Sequence, residues 1–529
     1  MVIRKNYIFL MAFVASFTLA NAFVLVATDP RYLSEIESSM AKILRDYSEL
    51  DKTHHQLKQF RKHAALLEAR SKSHDMSEVN PISMYRMVEA LVDEWLELYE
   101  SMDEKVLATL LATFPPPLTP KFQDLVELAR NIFRLQDVYQ LPVKDVASGR
   151  VVGWNTSGTF SARDCFNLGG MAFANKDYYH ALSWLQEART RYSKESEPTV
   201  TLTDILPVLA IALDKTGNDI RAKKIAREFK RKAAANLMEQ TLTIYPELAQ
   251  ILEDTDVEET HSFPPIKNER PPMNETEAQP IYEALCRMEY KKETPQSNKT
   301  LNCYYDRSTP YLQLAPAKVE PIQHEPPVSL FRQIISDQEI DIIMTLVQKK
   351  MDHSRVIDES ITGKLSKNIR ESLTGWLKDT DHPTVAQIRK RAGIFTHLSM
   401  ESAEHLQISQ YGIGGHYGPH TDHSSEEPRI TTGYAGAYYK QNGDRIATLM
   451  FYLAEPEFGG GTAFPNANLV VKASKNDAVF WYNIRPSGKG DNNTLHAGCP
   501  IISGAKWVAN QWIRERGQEF KRRCNLVED

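Results

Sequence analysis

The chain has 529 residues, enough for about three or four domains at the usual size of roughly 100–200 residues each. Hydrophobic residues make up 42% and charged residues 25% of the sequence, a composition that is typical of globular proteins and excludes a wholly disordered chain. The net charge of −5 provides no general positive field for holding nucleic acid, and the sequence shows no basic patch with interleaved aromatic residues.

Residues 1–22 have the pattern of a secretory signal peptide. Arg4 and Lys5 precede an apolar run over residues 7–20, and the small residues Ala20 and Ala22 suit signal peptidase, so we expect cleavage after Ala22. Since no later apolar run reaches the roughly 18 residues of a membrane span, we expect a secretory-pathway protein without one. Four tripeptides typical of N-glycosylation agree with this expectation, at Asn155, Asn274, Asn298 and Asn492.

Residues 23–140 are predicted to form a helical dimerisation region. Between residues 33 and 57, apolar side chains recur at alternating spacings of three and four, which is the seam of a left-handed coiled coil. His54 is the polar exception on this seam. Two interpretations remain open, a helix packed within an intrachain bundle and a helix that joins two copies of the chain.

Residues 141–250 are predicted to form a tetratricopeptide-like helical domain. The small and large residues of one repeat unit lie between residues 168 and 188, and part of the pattern recurs 41 residues later, from Ala181 to Ala222. Aromatic residues in this region either pack between helices or line a groove for an extended, proline-rich peptide. The candidates for the groove are Phe173, Tyr178 and Tyr179.

Residues 251–330 are predicted to be an irregular, proline-rich connector, because 11 of the 28 prolines lie between residues 264 and 327. The five cysteines of the chain are expected to pair in an oxidising compartment. Proximity along the chain favours one disulfide between Cys286 and Cys303 and another between Cys499 and Cys524. That pairing leaves Cys165 reduced within the helical repeats.

Residues 331–529 are predicted to form the catalytic domain. After one helix, short apolar or alternating runs separated by glycine turns predict an antiparallel β-sandwich or barrel. On one such strand the spacing of His420 and Asp422 directs both side chains to the same face. His496 completes a set of two histidines and one carboxylate, which suits non-haem Fe(II) because it leaves positions open for a cosubstrate and dioxygen.

Lys506 begins a strand pattern in which alternate residues share an inward face. A buried lysine is costly unless an anion meets it, so this position favours a carboxylate partner. The alternative, a lysine at a solvated strand end, remains open on spacing alone.

Several motifs together resemble the catalytic α subunits of collagen prolyl 4-hydroxylases, in the same order and over nearly the whole chain. They are the run over residues 411–422, Gly459-Gly-Gly-Thr-Ala-Phe-Pro465, Ala478-Val-Phe-Trp-Tyr-Asn483, His496-Ala-Gly-Cys-Pro500 and Lys506-Trp-Val. The resemblance implies a multidomain α + β protein. Its helical or coiled-coil start and tetratricopeptide-like domain would precede a C-terminal double-stranded β-helix, a jelly roll.

The resemblance also implies the roles of individual residues. Fe(II) would be held by His420, Asp422 and His496, with 2-oxoglutarate chelating the metal. The far carboxylate of 2-oxoglutarate would lie beside Lys506, Tyr411 and Thr462. Three further residues match positions associated with the peptide or the pocket wall, namely Arg445, Tyr417 and Trp512.

The implied activity is hydroxylation of proline at C4 in X-Pro-Gly repeats of procollagen-like chains, using O2 and 2-oxoglutarate, with L-ascorbate as the agent that rescues oxidised iron. The implied location is the lumen of the endoplasmic reticulum. Because the sequence ends without a retention tail, we expect retention to come from another subunit. The resemblance implies that this subunit is protein disulfide isomerase, in an α2β2 tetramer. Two other functions remain open, a catalytically silent chaperone of proline-rich chains and a hydroxylase of a non-collagen secretory protein.

Two features of the sequence depart from the family pattern. Arg514 stands eight residues after Lys506, where vertebrate collagen hydroxylases have histidine. The loop over residues 423–444 is several residues longer than in those relatives. A loop beside the metal can change substrate choice without altering the metal ligands.

Overall fold

The computed structural model describes residues 80–101, 122–151, 154–155, 158–253, 264–271, 277–288, 301–354, 370–424 and 440–525, with four helical residues between positions 38 and 45. The described residues divide into two compact units, within Ser34–Asn274 and Glu275–Asp529. The predicted signal peptide, the side chains that form the apolar seam between positions 33 and 57, and residues 425–439 of the long loop lie outside the described residues. Within the part of the chain that is described, no helix is long and apolar enough to cross a membrane.

The first unit consists mainly of helices. They are α1 (Pro81–Ser101), α2 (Phe122–Tyr139), α3 (Val143–Ala147), α4 (Ala162–Ala174), α5 (Tyr178–Tyr192), α6 (Leu202–Lys215), α7 (Asp219–Lys232), α8 (Ala235–Ile244) and α9 (Pro246–Glu253), with a short hairpin of β1 (Arg150–Val151) and β2 (Trp154–Asn155). The helical start and tetratricopeptide-like region of the predicted fold are therefore confirmed.

The repeat helices begin at capping residues and pack through small side chains. Ser161 and Asp164 form a reciprocal capping box at the start of α4, which satisfies amide groups that would otherwise lack partners. Gly169 allows α4 to approach α5 closely, because a Cβ atom at this position would lie 2.8 Å from Leu185 Cγ. The buried residues Ala172 and Ala181 extend this contact. The small positions of the repeat pattern are thus the positions where helices touch.

The aromatic residues of the repeats divide into core and surface. Trp184 is fully buried, and its Nε1 donates a hydrogen bond of 2.9 Å to Oε1 of Gln136. The three groove candidates, in contrast, are only half-buried. The rings of Phe173 and Tyr178 are 5.7 Å apart, and Tyr179 follows at the start of α5. These candidates therefore retain surface that a peptide could contact.

His180 carries a buried charge within the helical unit. Its Nδ1 lies 2.7 Å from Oδ2 of Asp177 and its Nε2 lies 3.3 Å from Oδ1 of Asp137. The imidazole also stacks on Phe133, with ring centroids 4.8 Å apart. Burial alone would lower the pKa of His180, but the two carboxylates outweigh it and raise the pKa to about 9.

This raised pKa predicts a loss of stability in alkaline solution. Protonated His180 contributes its full stabilisation below the ordinary pKa of 6.5, and that contribution disappears as the pH rises through about 9. The expected loss is roughly 3 kcal/mol in the free energy of opening α5, measured by hydrogen exchange at pH 6.5 and above pH 9. The His180→Gln variant should lack this part of the pH dependence. Equal pH dependence in both proteins would contradict the assignment.

Among its described residues, the second unit contains two large antiparallel β-sheets, one two-stranded sheet and four α-helices. The helices are α10 (Ala278–Met288), α11 (Pro310–Leu314), α12 (Asp337–Gln348) and α13 (Pro383–Thr396), with 3-10 turns at Pro465–Ala467 and Asn492–Thr494. The strands are β3 (Tyr304–Asp306), β4 (Ala317–Gln323), β5 (Val328–Arg332), β6 (Asp352–His353), β7 (Arg370–Glu371), β8 (Leu373–Leu377), β9 (Leu406–Tyr411), β10 (His416–His420), β11 (Arg445–Ala454), β12 (Phe458–Gly459), β13 (Thr462–Phe464), β14 (Leu469–Val471), β15 (Ala478–Tyr482), β16 (His496–Gly498), β17 (Ile501–Ser503) and β18 (Lys506–Arg514).

The large sheet has the strand order β3-β4-β5-β15-β11-β18-β9-β8-β6, and the small sheet has the order β14-β13-β16-β10-β7. A separate two-stranded pair joins β12 and β17. This β-sandwich agrees with the predicted jelly roll. Strands β3, β4 and β5 fall in the region that was predicted to be an irregular connector, and they extend one edge of the large sheet.

Side chains on the two faces of the central strand β11 belong to two different apolar cores. Leu449 and Phe451 on β11 face a core that also contains apolar residues of α12 and α13. Met450 and Tyr452, the intervening residues, face a second core that includes Phe464 of the small sheet. Because successive side chains of a strand point to opposite faces, one strand serves both cores.

The predicted disulfide pairing is wrong in this structure. Cys286 is bonded to Cys499, with Cα atoms 5.5 Å apart, whereas Cys303 and Cys524 are exposed thiols. The reason is the position of α10: the hydroxyl of Tyr282 donates a hydrogen bond of 3.1 Å to the carbonyl of Gly498, which brings the helix beside β16. Proximity along the chain does not reveal this contact.

Cys165 is a free, buried thiol, as predicted. Burial raises its pKa, so the thiolate is disfavoured and the side chain should be unreactive.

The observed disulfide can be tested by peptide mapping without reduction, which should recover Cys286 linked to Cys499. The Cys286→Ser variant should lose about 2–5 kcal/mol in the free energy of unfolding, because the bond closes a long loop. The Cys524→Ser variant is the matched control and should be nearly as stable as the wild type. A peptide map that linked Cys286 to Cys303 would contradict the structure.

Candidate active site

Three metal-ligand candidates converge where β10 and β16 pair. His420 ends β10 and lies directly opposite His496 in the antiparallel register, while Asp422 follows two residues after His420. Nε2 of His420 is 3.9 Å from Oδ1 of Asp422, and Nε2 of His496 is 3.7 Å from its Oδ2. One ligand atom from each residue lies within 4.8 Å of the others. The structure thus brings together two histidines that are 76 residues apart along the chain (496 − 420).

Both histidines present the same ring nitrogen to the site. Nδ1 of His420 lies 2.9 Å from the carbonyl oxygen of Gly418, and Nδ1 of His496 lies 3.0 Å from that of Thr494. Because a carbonyl oxygen can only accept, each Nδ1 carries the proton and each Nε2 keeps a lone pair. Burial lowers the pKa of both imidazoles, which favours the neutral, ligating form.

Asp422 is oriented by two donors. The hydroxyl of Thr448 donates to its Oδ2 at 2.6 Å, and Nε1 of Trp512 donates to the same oxygen at 2.9 Å. Asn483 donates in turn to the hydroxyl of Thr448 and accepts a hydrogen bond from Trp481. This chain of contacts fixes the carboxylate in one orientation.

The carboxyl of Asp422 is ionised despite its burial. Burial raises its pKa, but the positive charge of Arg445 and the hydrogen bond from Thr448 hold the pKa well below its usual range. A buried carboxylate and two neutral imidazoles make a donor set that suits Fe(II), and the three residues leave further coordination positions open. The residues present therefore fit this metal.

Lys506 lies in the same pocket as the three ligand candidates. Its side chain is buried, and its Nζ donates to the carbonyl of Gly460 at 2.6 Å and lies 3.4 Å from Oγ1 of Thr462. Gly460 has a φ of +78°, a conformation that glycine adopts without strain and that shapes the loop beside the lysine. Tyr411 pairs with Lys506 across β9 and β18 and also lines the pocket. The three predicted cosubstrate residues are thus neighbours.

Tyr452 also belongs to this group, although no motif in the sequence indicated it. Its hydroxyl is 3.0 Å from Oγ1 of Thr462, and Nζ of Lys506 lies 5.5 Å from its ring centroid. Thr448, Met450 and Tyr452 alternate along β11, so the spacing on this strand could have indicated the inward face.

The three residues predicted for the peptide or pocket wall surround the ligand candidates. Tyr417 stacks on His420, with ring centroids 3.5 Å apart and an interplanar angle of 15°. The guanidinium carbon of Arg445 lies 3.6 Å from the ring centroid of Trp512, and its Nη1 lies 3.8 Å from Oδ1 of Asp422. These side chains therefore restrict the space around the metal-ligand candidates.

Arg514 is held at the end of β18 by contacts that a histidine could not reproduce. Its Nη2 lies 2.7 Å from Oε1 of Glu404, and its Nη1 donates to the carbonyl of Gly443 at 2.9 Å. The carboxylate of Glu404 also accepts hydrogen bonds from both Nε and Nη2 of Arg445. Arg514 thus helps to fix the carboxylate that positions Arg445. The groove candidates Phe173, Tyr178 and Tyr179 belong to the helical unit and not to this pocket.

Comparisons with known proteins match three parts of the chain. Residues 28–153 match the prolyl 4-hydroxylase alpha-subunit N-terminal region, residues 162–250 match the prolyl 4-hydroxylase peptide-substrate-binding domain, and residues 406–514 match the 2OG-Fe(II) oxygenase superfamily. The last match encloses all three metal-ligand candidates and Lys506.

Similar proteins extend over almost the whole chain. Prolyl 4-hydroxylase subunit alpha-1 of Caenorhabditis elegans is 37% identical, over 96% of this chain and 91% of its own length. Prolyl 4-hydroxylase subunit alpha-3 of Mus musculus is 33% identical, over 95% of this chain and 91% of its own length. Among solved structures, the viral collagen prolyl hydroxylase of Paramecium bursaria Chlorella virus-1 in its 2OG complex is 28% identical, covering 35% of this chain and 95% of its own, with a TM-score of 0.28.

The match to the oxygenase superfamily and the residues of the pocket indicate which metal and cosubstrates the chain uses. A 2OG-Fe(II) oxygenase works with Fe(II), 2-oxoglutarate and O2, and the described residues provide one cluster with suitable metal ligands. The helical repeats correspond to the domain that binds the peptide substrate. With these two domains and relatives that match over nine tenths of their length, the chain belongs to the prolyl 4-hydroxylase α-subunit family and is a 2-oxoglutarate-dependent proline 4-dioxygenase.

Proposed function

We propose that this chain hydroxylates proline at C4 in X-Pro-Gly repeats of procollagen-like polypeptides. The observation that carries the proposal is the placement of His420, Asp422, His496 and Lys506 around one buried pocket. The peptide-substrate-binding domain supports a long, proline-rich substrate. Such a chain is already extended as polyproline II, so binding it costs little ordering entropy.

Fe(II) would be held by Nε2 of His420, Nε2 of His496 and the carboxylate of Asp422. When bound, the metal supplies the oxidation chemistry in which 2-oxoglutarate and O2 become succinate and CO2 while one oxygen atom enters the proline ring. The chain's own task is to keep these ligands aligned. Thr448 and Trp512 do this for Asp422, because both donate to Oδ2.

Lys506, Thr462 and Tyr411 would bind the far carboxylate of 2-oxoglutarate. The ammonium group of Lys506 is buried beside the hydroxyl of Thr462, where a charge-assisted hydrogen bond is stronger than in water. The hydroxyl of Tyr452 lies near enough to Thr462 to orient it. The cosubstrate would therefore be held at its far end by protein and at its keto-acid end by the metal.

Arg445, Tyr417 and Trp512 would form the wall against which the substrate proline rests. Arg445 forms an ion pair with Glu404, and its guanidinium group lies over the ring of Trp512. Tyr417 covers His420. A rigid wall of this kind places the reacting carbon and keeps water away from it.

L-Ascorbate would restore Fe(II) after turnovers that oxidise the metal without hydroxylating a peptide. We further propose that the chain works in the lumen of the endoplasmic reticulum with protein disulfide isomerase, as an α2β2 tetramer. Support comes from the family membership and from the signal-peptide pattern of residues 1–22.

The partner is tested by expressing the chain with and without protein disulfide isomerase. We expect two copies of each chain in the co-expressed complex, measured by analytical ultracentrifugation, and aggregation or loss of activity of the chain alone. A fully active monomer made without the isomerase would contradict the assembly.

The substrate class is tested with peptides of equal length. The complex is incubated with Pro-Pro-Gly repeats, polyproline, a scrambled proline-containing peptide and a lysine-containing repeat, and products are identified by mass spectrometry. We expect hydroxylation of the proline before glycine and little elsewhere. Hydroxylation of the scrambled peptide at an equal rate would instead favour a non-collagen secretory substrate, whereas binding without any product would favour the chaperone function.

A further inference from the structure

A proline-rich segment of this chain lies on its own peptide-substrate-binding domain. The segment comprises residues 264–271, with the sequence Pro-Pro-Ile-Lys-Asn-Glu-Arg-Pro, and it contains neither helix nor strand. It follows the last repeat helix in sequence and belongs to the same compact unit. Its composition resembles that of the extended peptides such domains bind.

Asn218 holds the main chain of this segment at one residue. The Nδ2 atom of Asn218 donates to the carbonyl of Lys267 at 2.8 Å, and its Oδ1 accepts from the amide of Lys267 at 2.8 Å. Arg221, one turn further along α7, donates from Nη2 to the carbonyl of Pro264 at 2.8 Å. These hydrogen bonds involve main-chain atoms of the segment, so Asn218 and Arg221 would bind other extended sequences in the same way.

The other end of the segment contacts α5 and α2. Nδ2 of Asn268 donates to the carbonyl of Tyr179 at 3.0 Å and to the hydroxyl of Ser183 at 2.7 Å. The Nε atom of Arg270 lies 3.2 Å from Oδ2 of Asp137. Tyr179 is one of the groove candidates, so the segment reaches the surface that was predicted to bind substrate.

The segment is held by polar contacts at a partly exposed surface. Pro264, Ile266 and Lys267 are exposed residues, and Asn268 and Arg270 are half-buried. Each net hydrogen bond at such a surface contributes only about 0.5–1.5 kcal/mol. Tethering keeps the local concentration of the segment high, yet a long peptide with several matching contacts can displace it.

We infer that residues 264–271 are an intramolecular occupant of the peptide-binding surface and compete with proline-rich substrates for it. The inference rests on the proposed role of residues 162–250 in binding such substrates. While the segment occupies the surface, a smaller fraction of the molecules can bind a substrate peptide. The apparent affinity for that peptide is therefore weaker. Only substrates long enough to reach this surface are affected, whereas a short peptide that enters the catalytic pocket alone is not.

The first test compares peptide binding by the co-expressed complex and a variant that releases the segment. The double variant Asn268→Ala, Arg270→Ala removes segment side chains and leaves Asn218 and Ser183 in place for the substrate. Its affinity for a fluorescently labelled, long Pro-Pro-Gly repeat should rise by about fivefold or more, the effect of roughly one net hydrogen bond. The KM for a single Pro-Pro-Gly unit should not change.

Lys267→Ala is the matched control, because it removes a positive charge from the same segment while the main-chain contacts with Asn218 remain. We expect wild-type affinity for this control. Unchanged or weaker binding of the long peptide by the double variant would show that the segment merely braces the helices, which would overturn the inference.

The second test needs no variant. The amide of Lys267 is protected by its hydrogen bond to Asn218, so hydrogen exchange in residues 264–271 should accelerate when a saturating long peptide displaces the segment. Unchanged exchange while the peptide is bound would overturn the inference. If the wild-type complex and both variants bound no proline-rich peptide at all, the proposed function would fail instead, so the two failures are distinguishable.

Discussion

Replacing His496 with alanine should abolish proline hydroxylation while the complex still assembles. The cluster offers one ligand atom from each of three described residues, so the loss of one imidazole leaves two of these ligand atoms. Changes to residues that only orient a ligand commonly cost about 10–100-fold in metal affinity, and loss of a ligand should cost more. The measurements are hydroxyproline formation and the affinity for Co(II), a spectroscopic substitute for Fe(II).

Two further variants separate this loss from misfolding. Asp422→Asn removes the negative charge at almost constant volume and should also lose metal binding, although its side-chain carbonyl can still accept from Thr448 and Trp512. His405→Ala, at an exposed position, is the control and should retain wild-type activity. Wild-type hydroxylation or unchanged Co(II) affinity in the His496→Ala variant would exclude this histidine from the metal site.

Removing the charge of Lys506 should raise the KM for 2-oxoglutarate by about tenfold or more. A charge-assisted hydrogen bond to a buried carboxylate is worth roughly 1.5–3 kcal/mol, and about 1.4 kcal/mol corresponds to a factor of ten. Lys506→Met is the better variant, since it keeps the volume of the side chain and avoids a cavity. Lys506→Ala should show the same direction of change.

The control for Lys506 is Lys472→Ala, because Lys472 is an exposed residue directly after β14. It should leave the KM for 2-oxoglutarate unchanged. The KM for the peptide should be nearly constant in all these variants, since the proposed role of Lys506 concerns the cosubstrate alone. A lowered kcat with an unchanged KM for 2-oxoglutarate would assign Lys506 a different role.

The face of each central strand was predictable, because side chains alternate along it. The spacing from Lys506 to Trp512 predicted one inward face on β18, and the structure places both residues in the pocket. The pairing of His420 with His496 needed more than periodicity, since two short strands can pair in many registers. The resemblance of whole motifs to a known family, rather than local periodicity, indicated that His420 and His496 belong to one site.

The contacts behind the site were not predictable from residue type. Thr448 and Asn483 are common residues, and only the pairing of β11 with β15 brings them into a chain that ends at Asp422. Arg514 is a similar case. Its role depends on Glu404, which lies more than a hundred residues earlier and becomes a neighbour through the fold.

The disulfide shows how separation along the chain can mislead. Cys286 and Cys499 are 213 residues apart, and the proline content of the intervening region suggested an irregular connector with a local bridge. Instead, α10 lies against the small sheet, and part of the supposed connector pairs as strands β3 to β5. Composition indicates where a chain turns often, but it does not indicate which elements those turns bring together.

The measurement that tests the proposed reaction most directly is to follow an oxygen atom from isotopically labelled O2. The complex is supplied with Fe(II), 2-oxoglutarate, ascorbate and a long Pro-Pro-Gly repeat, and the peptide is analysed by mass spectrometry and amino-acid analysis. We expect one labelled oxygen in each new 4-hydroxyproline, formed before glycine, and none when 2-oxoglutarate is omitted or His496 is replaced. Absence of 4-hydroxyproline in the wild-type reaction, or equal labelling with the His496→Ala variant, would contradict the assignment of this site.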